Sequence, residues 1–309
     1  MRPERRLLLT RRSFGLGVTA STVAAPAFAD APFNERFKAI EARTGGRLGV
    51  HARVVDRLGE NVFGWRVDER FLMCSTFKML AVAAVLMRVD RGEESLDRWI
   101  KYGAGDLQEY APVAKANLDK GGMTLETICA AAVELSDNTC ANLILDSLGG
   151  PQGVTAYVRS LGDGVTRLDR TEPTLNRPGP VGDLRDTTTP ASMTGLWRNI
   201  LFHNRMGVVY PPVLTVQSAA RLRDWLEACS TSPNRLKAIT PAGWRMGHKT
   251  GLGSTTAGDV AFFTKPGSSP ILIAIYLEAP GMLDNSHDDA FAEAGRIVLN
   301  AVSRAPEVG

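Results

Sequence analysis

The 309-residue chain has no cluster of cysteine and histidine at metal-ligand spacing: its four His are scattered and its four Cys lie far apart. No metal site and no cofactor are therefore expected. Internal repeats and low-complexity segments are also missing, which excludes a solenoid or a fibrous chain. Beyond the N-terminal segment no apolar run reaches the roughly 18 residues of a membrane helix, so no stable membrane anchor is expected. A surplus of one charge sign is lacking as well. The formal net charge is +3, but residues 1–29 carry five Arg against the single acid Glu4, and the rest of the chain is one unit negative. A near-neutral body argues against nucleic acid or an anionic membrane surface as partner. A small-molecule substrate and a single-chain, monomeric protein are expected instead.

What is present begins with a targeting signal. Thr10-Arg11-Arg12-Ser13-Phe14-Gly15-Leu16 has the twin-arginine layout, followed by a mild Gly/Ala/Thr stretch and Ala27-Phe28-Ala29 before Asp30. That pattern reads as a cleaved signal peptide over 1–29 and implies export to the periplasm. Twin-arginine signals are typically attached to proteins that fold before export, in a reducing compartment. Cys74, Cys129, Cys140 and Cys229 sit mostly inside apolar helical patterns, so buried free thiols are expected rather than disulfides.

Helical spacing of Phe33, Phe37 and Ile40, closed by Gly45-Gly46, predicts a helix over 33–43. Two alternating runs, 47–56 and 61–67, separated by a Gly-containing turn, predict a hairpin. From Ser75 to about residue 228 the pattern is helical, with breaks at Gly121-Gly122, Gly149-Gly150-Pro151 and the Pro/Gly-rich 172–189. Strands return at 244–250, 259–263 and 271–277, and a helix closes the chain over 288–302. The fold class is therefore α/β in the α+β sense: a five-stranded antiparallel sheet built from both termini, flanked by helices, with an all-helical part inserted. Residues 30–72 plus 229–309 would form the sheet domain and 73–228 the helical domain. A cleft between them is the natural site.

Four short motifs carry chemistry. In Cys74-Ser75-Thr76-Phe77-Lys78, Ser75 and Lys78 share a helix face, which sets an amine beside a hydroxyl near spare backbone N–H groups. Taken alone, the stretch reads more simply as a capped helix with a lysine reaching for solvent. Ser136-Asp137-Asn138 joins two apolar helices and presents a hydroxyl and an amide, or merely caps the second helix. Glu172-Pro173-Thr174-Leu175-Asn176 lies in a long irregular loop, where Glu172 is either a solvated acid or a base holding a water with Asn176. Lys249-Thr250-Gly251 ends an apolar strand, as an edge charge or as a cation and hydroxyl aimed at an anion. Gly247-His248-Lys249-Thr250 is not a phosphate loop, because His248 splits the Gly-Lys pair and no helix follows.

Together, in this order and at these separations, the motifs resemble those of the class A serine β-lactamases, and the likeness runs from about Phe33 to Val302. Glu109-Tyr110-Ala111-Pro112, Leu148-Gly149-Gly150 and Asp186-Thr187-Thr188-Thr189-Pro190 match as well. The resemblance implies the β-lactamase/transpeptidase-like fold and hydrolysis of penicillins, with cephalosporins a weaker expectation. It implies that Ser75 attacks the lactam carbonyl, that Lys78, or Glu172 through a water, takes its proton, and that Ser136 protonates the departing nitrogen. Backbone N–H groups of Ser75 and Leu252 would form the oxyanion hole. Asn138 would hold the substrate side-chain amide, Lys249, Thr250 and Gly251 its carboxylate end, Tyr110 the cleft rim. Glu172 and Asn176 would position the deacylating water, on a loop pinned by an Arg170–Asp186 pair. The same Ser-Lys chemistry serves D,D-peptidases and non-hydrolytic β-lactam sensor domains; the first lack the Glu172/Asn176 pair and the second need a membrane tether.

There are departures. Many members carry a carboxylate-binding arginine just beyond Lys-Thr-Gly; here Leu252–Gly258 has none, and Arg235 stands where some relatives supply it from upstream. Leu252 replaces a small or hydroxyl-bearing residue. The family bridge from the cysteine before the nucleophile cannot form, because Gly253 occupies its partner place, and Val82 takes the partner place of Cys129.

Overall fold

The computed structural model describes residues 31–55, 60–203, 213–281 and 287–304. The twin-arginine segment lies outside the described residues, as does the hairpin turn at 56–59. The chain opens with helix α1 (Ala31–Thr44) and strands β1 (Arg47–Val55), β2 (Glu60–Trp65) and β3 (Phe71–Leu72). There follow α2 (Phe77–Asp90), β4 (Trp99–Lys101), α3 (Pro112–Ala116), β5 (Gly122–Thr124), α4 (Leu125–Glu134), α5 (Asn138–Ser147), α6 (Pro151–Ser160) and β6 (Thr187–Thr188). The last part comprises α7 (Pro190–Leu201), α8 (Val216–Glu227), β7 (Arg245–Leu252), β8 (Thr256–Thr264), β9 (Ile271–Glu278) and α9 (Asp288–Arg304).

The expected five-stranded antiparallel sheet is present, in the order β2-β1-β9-β8-β7. Residues from both ends of the chain meet at its centre, where Val50 of β1 lies opposite Ile275 of β9. Strand periodicity explains why β9 reads as one continuous apolar run. Ile271, Ile273, Ile275 and Leu277 join a core with Phe37, Phe291 and Ile297 of α1 and α9, whereas Leu272, Ala274 and Tyr276 join the core of the internal helices. A sheet covered on both faces has no solvent side to mark with polar residues.

Helix α2 is buried along Phe77–Leu86, which is what a helix apolar on every side requires. It packs against α4, α5, α6 and α8 and carries the helical core. The stretch 99–124 departs from the helical expectation: β4 and β5 form a two-stranded ribbon, with only short helical turns between them. Ribbons of two or three residues have no periodicity for a sequence to display. A second such ribbon, β3–β6, pairs Phe71 with Thr188 and Leu72 with Thr187, so the residues just before Ser75 are tied to the end of the Glu172 loop. Among the described residues no helix is long and apolar enough to cross a membrane.

Candidate active site

Ser75 does not sit in α2 proper. It occupies a tight 3-10 turn, Cys74–Thr76, that leads into the helix, and Cys74 before it is held at φ +45°. Three contacts fix this turn. Thr76 Oγ1 donates to Met73 O at 2.7 Å and lies 3.0 Å from the Tyr276 hydroxyl on β9. Gly251 on β7 lies so close that a Cβ there would stand 2.8 Å from Met73 O and 3.2 Å from Ser75 N. The glycine of Lys-Thr-Gly is thus a close-approach residue, and it brings the end of β7, with Leu252, against the start of α2.

All four expected motifs converge on this point. Ser75 Oγ donates to Glu172 Oε1 at 3.2 Å. Lys78 Nζ lies 3.1 Å from the same carboxylate oxygen and donates to Ser136 O at 2.8 Å, Ser136 Oγ at 3.3 Å and Asn138 Oδ1 at 2.6 Å. Lys249 Nζ donates to Ser136 Oγ at 3.1 Å and to Thr250 O at 3.0 Å. Asn176 Nδ2 donates to Glu172 Oε2 at 2.5 Å. One hydroxyl, Ser136, therefore stands between two buried lysine side chains, and one carboxyl group joins the Ser75 hydroxyl to Lys78. Burial pulls the Lys249 ammonium down to about 8, with the Cys229 thiolate opposing and the Lys78 charge reinforcing.

The scaffold of each motif has a local reason. Ser136 is left-handed (φ +58°), and Asp137 behind it clamps two helices. Asp137 Oδ1 accepts from Cys140 N at 2.9 Å as the N-cap of α5, a role worth about 1 kcal/mol. Its Oδ2 accepts from Val113 N and Ala114 N at the start of α3. Both readings of Ser-Asp-Asn thus hold at once, with capping by Asp137 and presentation by its neighbours. Asn138 N donates to Tyr110 O at 3.0 Å, and the Tyr110 ring is half exposed at the rim, as is Leu252.

The Glu172 loop is pinned at both ends. Arg170 Nε pairs with Asp186 Oδ2 at 2.5 Å, Asp186 Oδ1 accepts from Asp169 N and Arg170 N, and Met73 N donates to Asp186 O. A further clamp has no counterpart in the sequence reading. Asn142 Nδ2 donates to Glu172 O at 3.0 Å while its Oδ1 accepts from Glu172 N at 3.0 Å. Asn142 lies one turn beyond Asn138 on α5, and that i, i+4 spacing of two asparagines was the available signal. From the other side, Ser254 N donates to Asn176 O at 3.2 Å.

Arg235 is not open to the cleft. It is wholly buried behind the sheet edge, paired through Nε with Asp288 at 2.6 Å and donating through Nη1 to the carbonyls of Gly251 and Gly258 at 3.1 Å each, while Nη2 has no partner. Thr250, 5% exposed, lies 2.5 Å from the hydroxyl of Thr231, a residue that no motif singled out. All four cysteines are free and buried, and burial pushes the thiols of Cys74, Cys129 and Cys140 well above their ordinary value. Cys74 beside Ser75 is therefore a packed, unreactive thiol. Among the described residues no group of three or more His, Cys, Asp or Glu is placed to hold a metal ion.

A buried Ser-Lys-Glu cluster with a second lysine, at the junction of an antiparallel sheet and a helical core, is an arrangement suited to serine acyl transfer. The model of the β-lactamase enzyme family matches residues 32–302, and the chain belongs to that family. Among known proteins, β-lactamase FAR-1 of Nocardia farcinica is 42% identical over 267 residues, 86% of this chain and 82% of its own length. Among solved structures, the class A β-lactamase of the last common ancestor of Gram-negative bacteria is 48% identical, with a TM-score of 0.80 over 87% of this chain and 99% of its own. A β-lactamase from Burkholderia vietnamiensis is 39% identical, with a TM-score of 0.82 over 91% of this chain and all of its own.

Proposed function

We propose that the protein hydrolyses the β-lactam ring of penicillins, and cephalosporins less readily, through an acyl-enzyme on Ser75 that Glu172 helps to release. As a member of the β-lactamase family it is a hydrolase, and opening the β-lactam ring is the activity that confers resistance to these antibiotics. One observation carries the reading of the site: Glu172 Oε1 accepts from Ser75 Oγ and lies within 3.1 Å of Lys78 Nζ, with Oε2 held by Asn176.

Ser75 Oγ attacks the lactam carbonyl while its proton passes to Glu172 or Lys78, the two bases joined at Oε1. The developing oxyanion is received by the backbone N–H groups of Ser75 and Leu252. The C–N bond breaks, and the nitrogen takes a proton from Ser136 Oγ, which is replenished from the ammonium groups on either side. With the first proton passed on through Lys78 and Ser136 to the nitrogen, Glu172 is again a base. With Asn176 it holds a water and takes a proton from it as it attacks the ester; that proton is handed to Ser75 Oγ as the C–O bond breaks and the ring-opened acid leaves. Lys249 and Thr250, with Gly251 permitting close approach, receive the substrate carboxylate, Asn138 its side-chain amide, and Tyr110 and Leu252 line the rim. Arg235 contributes from behind, through the carbonyls of Gly251 and Gly258, as a buried cation under the carboxylate site. On this reading residues 73–228 form the helical domain and 30–72 with 229–309 the sheet domain. The Arg11-Arg12 segment supports export by the twin-arginine route to the periplasm, where the enzyme works as a monomer.

Purified protein mixed with a chromogenic cephalosporin is expected to turn over many equivalents. A single stoichiometric burst would instead mark a D,D-peptidase or a sensor domain. The lowered pKa of Lys249 gives a second test. Below about pH 8 its ammonium is present to receive the carboxylate; above it the charge is lost. The pH profile of kcat/KM for a penicillin should therefore include an alkaline limb centred near 8, distinct from any step at lower pH. A Lys249→Arg variant, charged throughout, should lose that limb; an unchanged limb would remove Lys249 from carboxylate binding.

A further inference from the structure

Behind Thr250 runs a chain of hydroxyl and thiol groups that the hydrolytic scheme does not use. Thr250 Oγ1 lies 2.5 Å from Thr231 Oγ1, and Thr231 Oγ1 lies 3.3 Å from Cys229 Sγ. Cys229 follows the end of α8 and is wholly buried. Its electrostatic neighbour on β7 is the His248 imidazole, whose Nδ1 stands 3.0 Å from Asp259 Oδ1 on β8. A thiol, two hydroxyls and a charged His–Asp pair thus lead from the interior to the strand that presents Lys249 and Thr250.

We infer that Cys229 and Thr231 are positioning residues for the substrate carboxylate, the proton on Cys229 deciding whether Thr250 turns its hydrogen or its lone pairs toward that anion. The inference rests on the proposed assignment of Thr250 to the carboxylate. A hydroxyl has one hydrogen to give. With Cys229 as a thiol, S–H donates to Thr231, Thr231 donates to Thr250, and the Thr250 hydrogen remains for the substrate. With Cys229 as a thiolate, Sγ accepts the Thr231 hydrogen, Thr231 accepts from Thr250, and only lone pairs face the substrate. A carboxylate cannot donate, so the second arrangement forfeits a charge-assisted hydrogen bond. The one proton lost goes to solvent; along the relay itself the hydroxyls only rotate.

The charges facing Cys229 make the switch accessible near neutrality. From β7 come His248 and Lys249, and from the 3-10 turn Leu236–Ile239 that precedes it Lys237, whose Nζ donates to Cys229 O at 2.7 Å. Asp259 lies behind His248. At the end of α4 stands Glu134, its carboxyl pushed up by burial and its carbonyl accepting from Ser230 N. Glu227 of α8 is engaged with Arg245. Burial alone would raise the Cys229 thiol, but His248, Lys249 and the Thr231 hydroxyl bring it down to about 6. Asp259 and Cys229 in turn hold His248 at about 9 against its own burial. The sign follows: the thiol, competent to bind, predominates below about 6, and the thiolate above, so carboxylate binding takes up a proton.

The test is a difference titration of ultraviolet thiolate absorbance, wild type minus Cys229→Ser, together with KM and kcat for a penicillin between about pH 5 and about pH 7.5. The difference signal should titrate once near pH 6, because burial keeps the other three thiols protonated there. KM of the wild type should rise about tenfold across that range. In Cys229→Ser, which keeps a donor that does not titrate, KM should stay flat and low. Thr231→Val, which removes the oxygen that would draw the Thr250 hydrogen inward, should make KM flat with pH and close to the wild-type value at about pH 5, with kcat reduced less than about threefold, and Thr231→Ser should restore the wild-type profile. A role in packing alone would lower Tm in these variants and leave the pH profile of KM in place. No thiolate signal near pH 6, or an unaltered KM profile in Cys229→Ser, would overturn the inference. A wild type without turnover would sink the hydrolase reading instead, and the titration reports independently of it.

Discussion

Replacing Glu172 by alanine is expected to give a protein that still acylates but scarcely releases its product, so that a covalent adduct on Ser75 persists in mass spectra while kcat falls about 10³-fold. The geometry argues that, beyond the stability lost with the buried pair, the loop would stay in place and the defect in turnover would lie in the chemistry. Glu172 is held by its backbone through both amide atoms of Asn142, and the loop ends are fixed by Arg170 and Asp186, so none of the principal restraints passes through the Glu172 side chain. Lys78 would keep three acceptors, Ser136 O, Ser136 Oγ and Asn138 Oδ1, so its hydrogen bonds would survive although it loses its carboxylate counter-charge. Acylation therefore retains a lysine within the Ser-Lys cluster, whereas the deacylating water loses its base. Loss of the adduct signal together with undiminished turnover would remove Glu172 from its proposed role.

Much of this arrangement was legible in the sequence, for a physical reason. The sheet showed itself because β1 alternates, with Leu48, Val50 and Ala52 on its core face, while β9 is one unbroken apolar run bounded by turn residues, and α2 because a wholly buried helix has no polar side to interrupt it. The four motifs showed themselves because serine, lysine, glutamate and asparagine inside apolar surroundings need an explanation. What escaped was set by contacts between distant parts of the chain. Nothing near Ser75 reveals that Cys74 adopts a left-handed backbone so that Ser75 precedes the helix. The requirement for Gly251 comes from Met73 and Ser75, some 175 residues earlier. Arg235, expected to face the substrate, lies beneath the strand because Asp288 of α9 and two backbone carbonyls draw its guanidinium inward. Asn142 and Thr231 look like ordinary polar residues until the loop and the strand they serve are folded against them. The short ribbons β3–β6 and β4–β5 are likewise products of tertiary packing, too brief to carry a pattern of their own.

The buried pair formed by Lys78 and Glu172 leads to the second large expected effect. Both side chains have no solvent exposure, and Nζ lies 3.1 Å from Oε1. Such a pair gives little net stability against apolar residues of the same shape, yet removing one member alone costs about 3–5 kcal/mol because a charge is stranded in the interior. Lys78→Met keeps the volume and deletes the cation, which leaves the Glu172 carboxylate with only the Ser75 hydroxyl and the Asn176 amide as donors. In a chain of this size the loss should appear as a fall in Tm of roughly 10 °C. Acylation should drop about 10³-fold or more, because the lysine also orients Ser136 and Asn138. The double variant Lys78→Met/Glu172→Gln should regain at least half of the lost Tm, since the stranded carboxylate is then replaced by a neutral amide and neither member of the pair carries a charge, while staying inactive. That combination, stability recovered without activity, separates the electrostatic cost of the single change from any damage to packing. Equal Tm values in the single and double variants would show that the pair is not what the fold depends on here. Acylation within about tenfold of wild type in Lys78→Met would leave Glu172, which already accepts from Ser75 Oγ, as the base for both halves of the reaction.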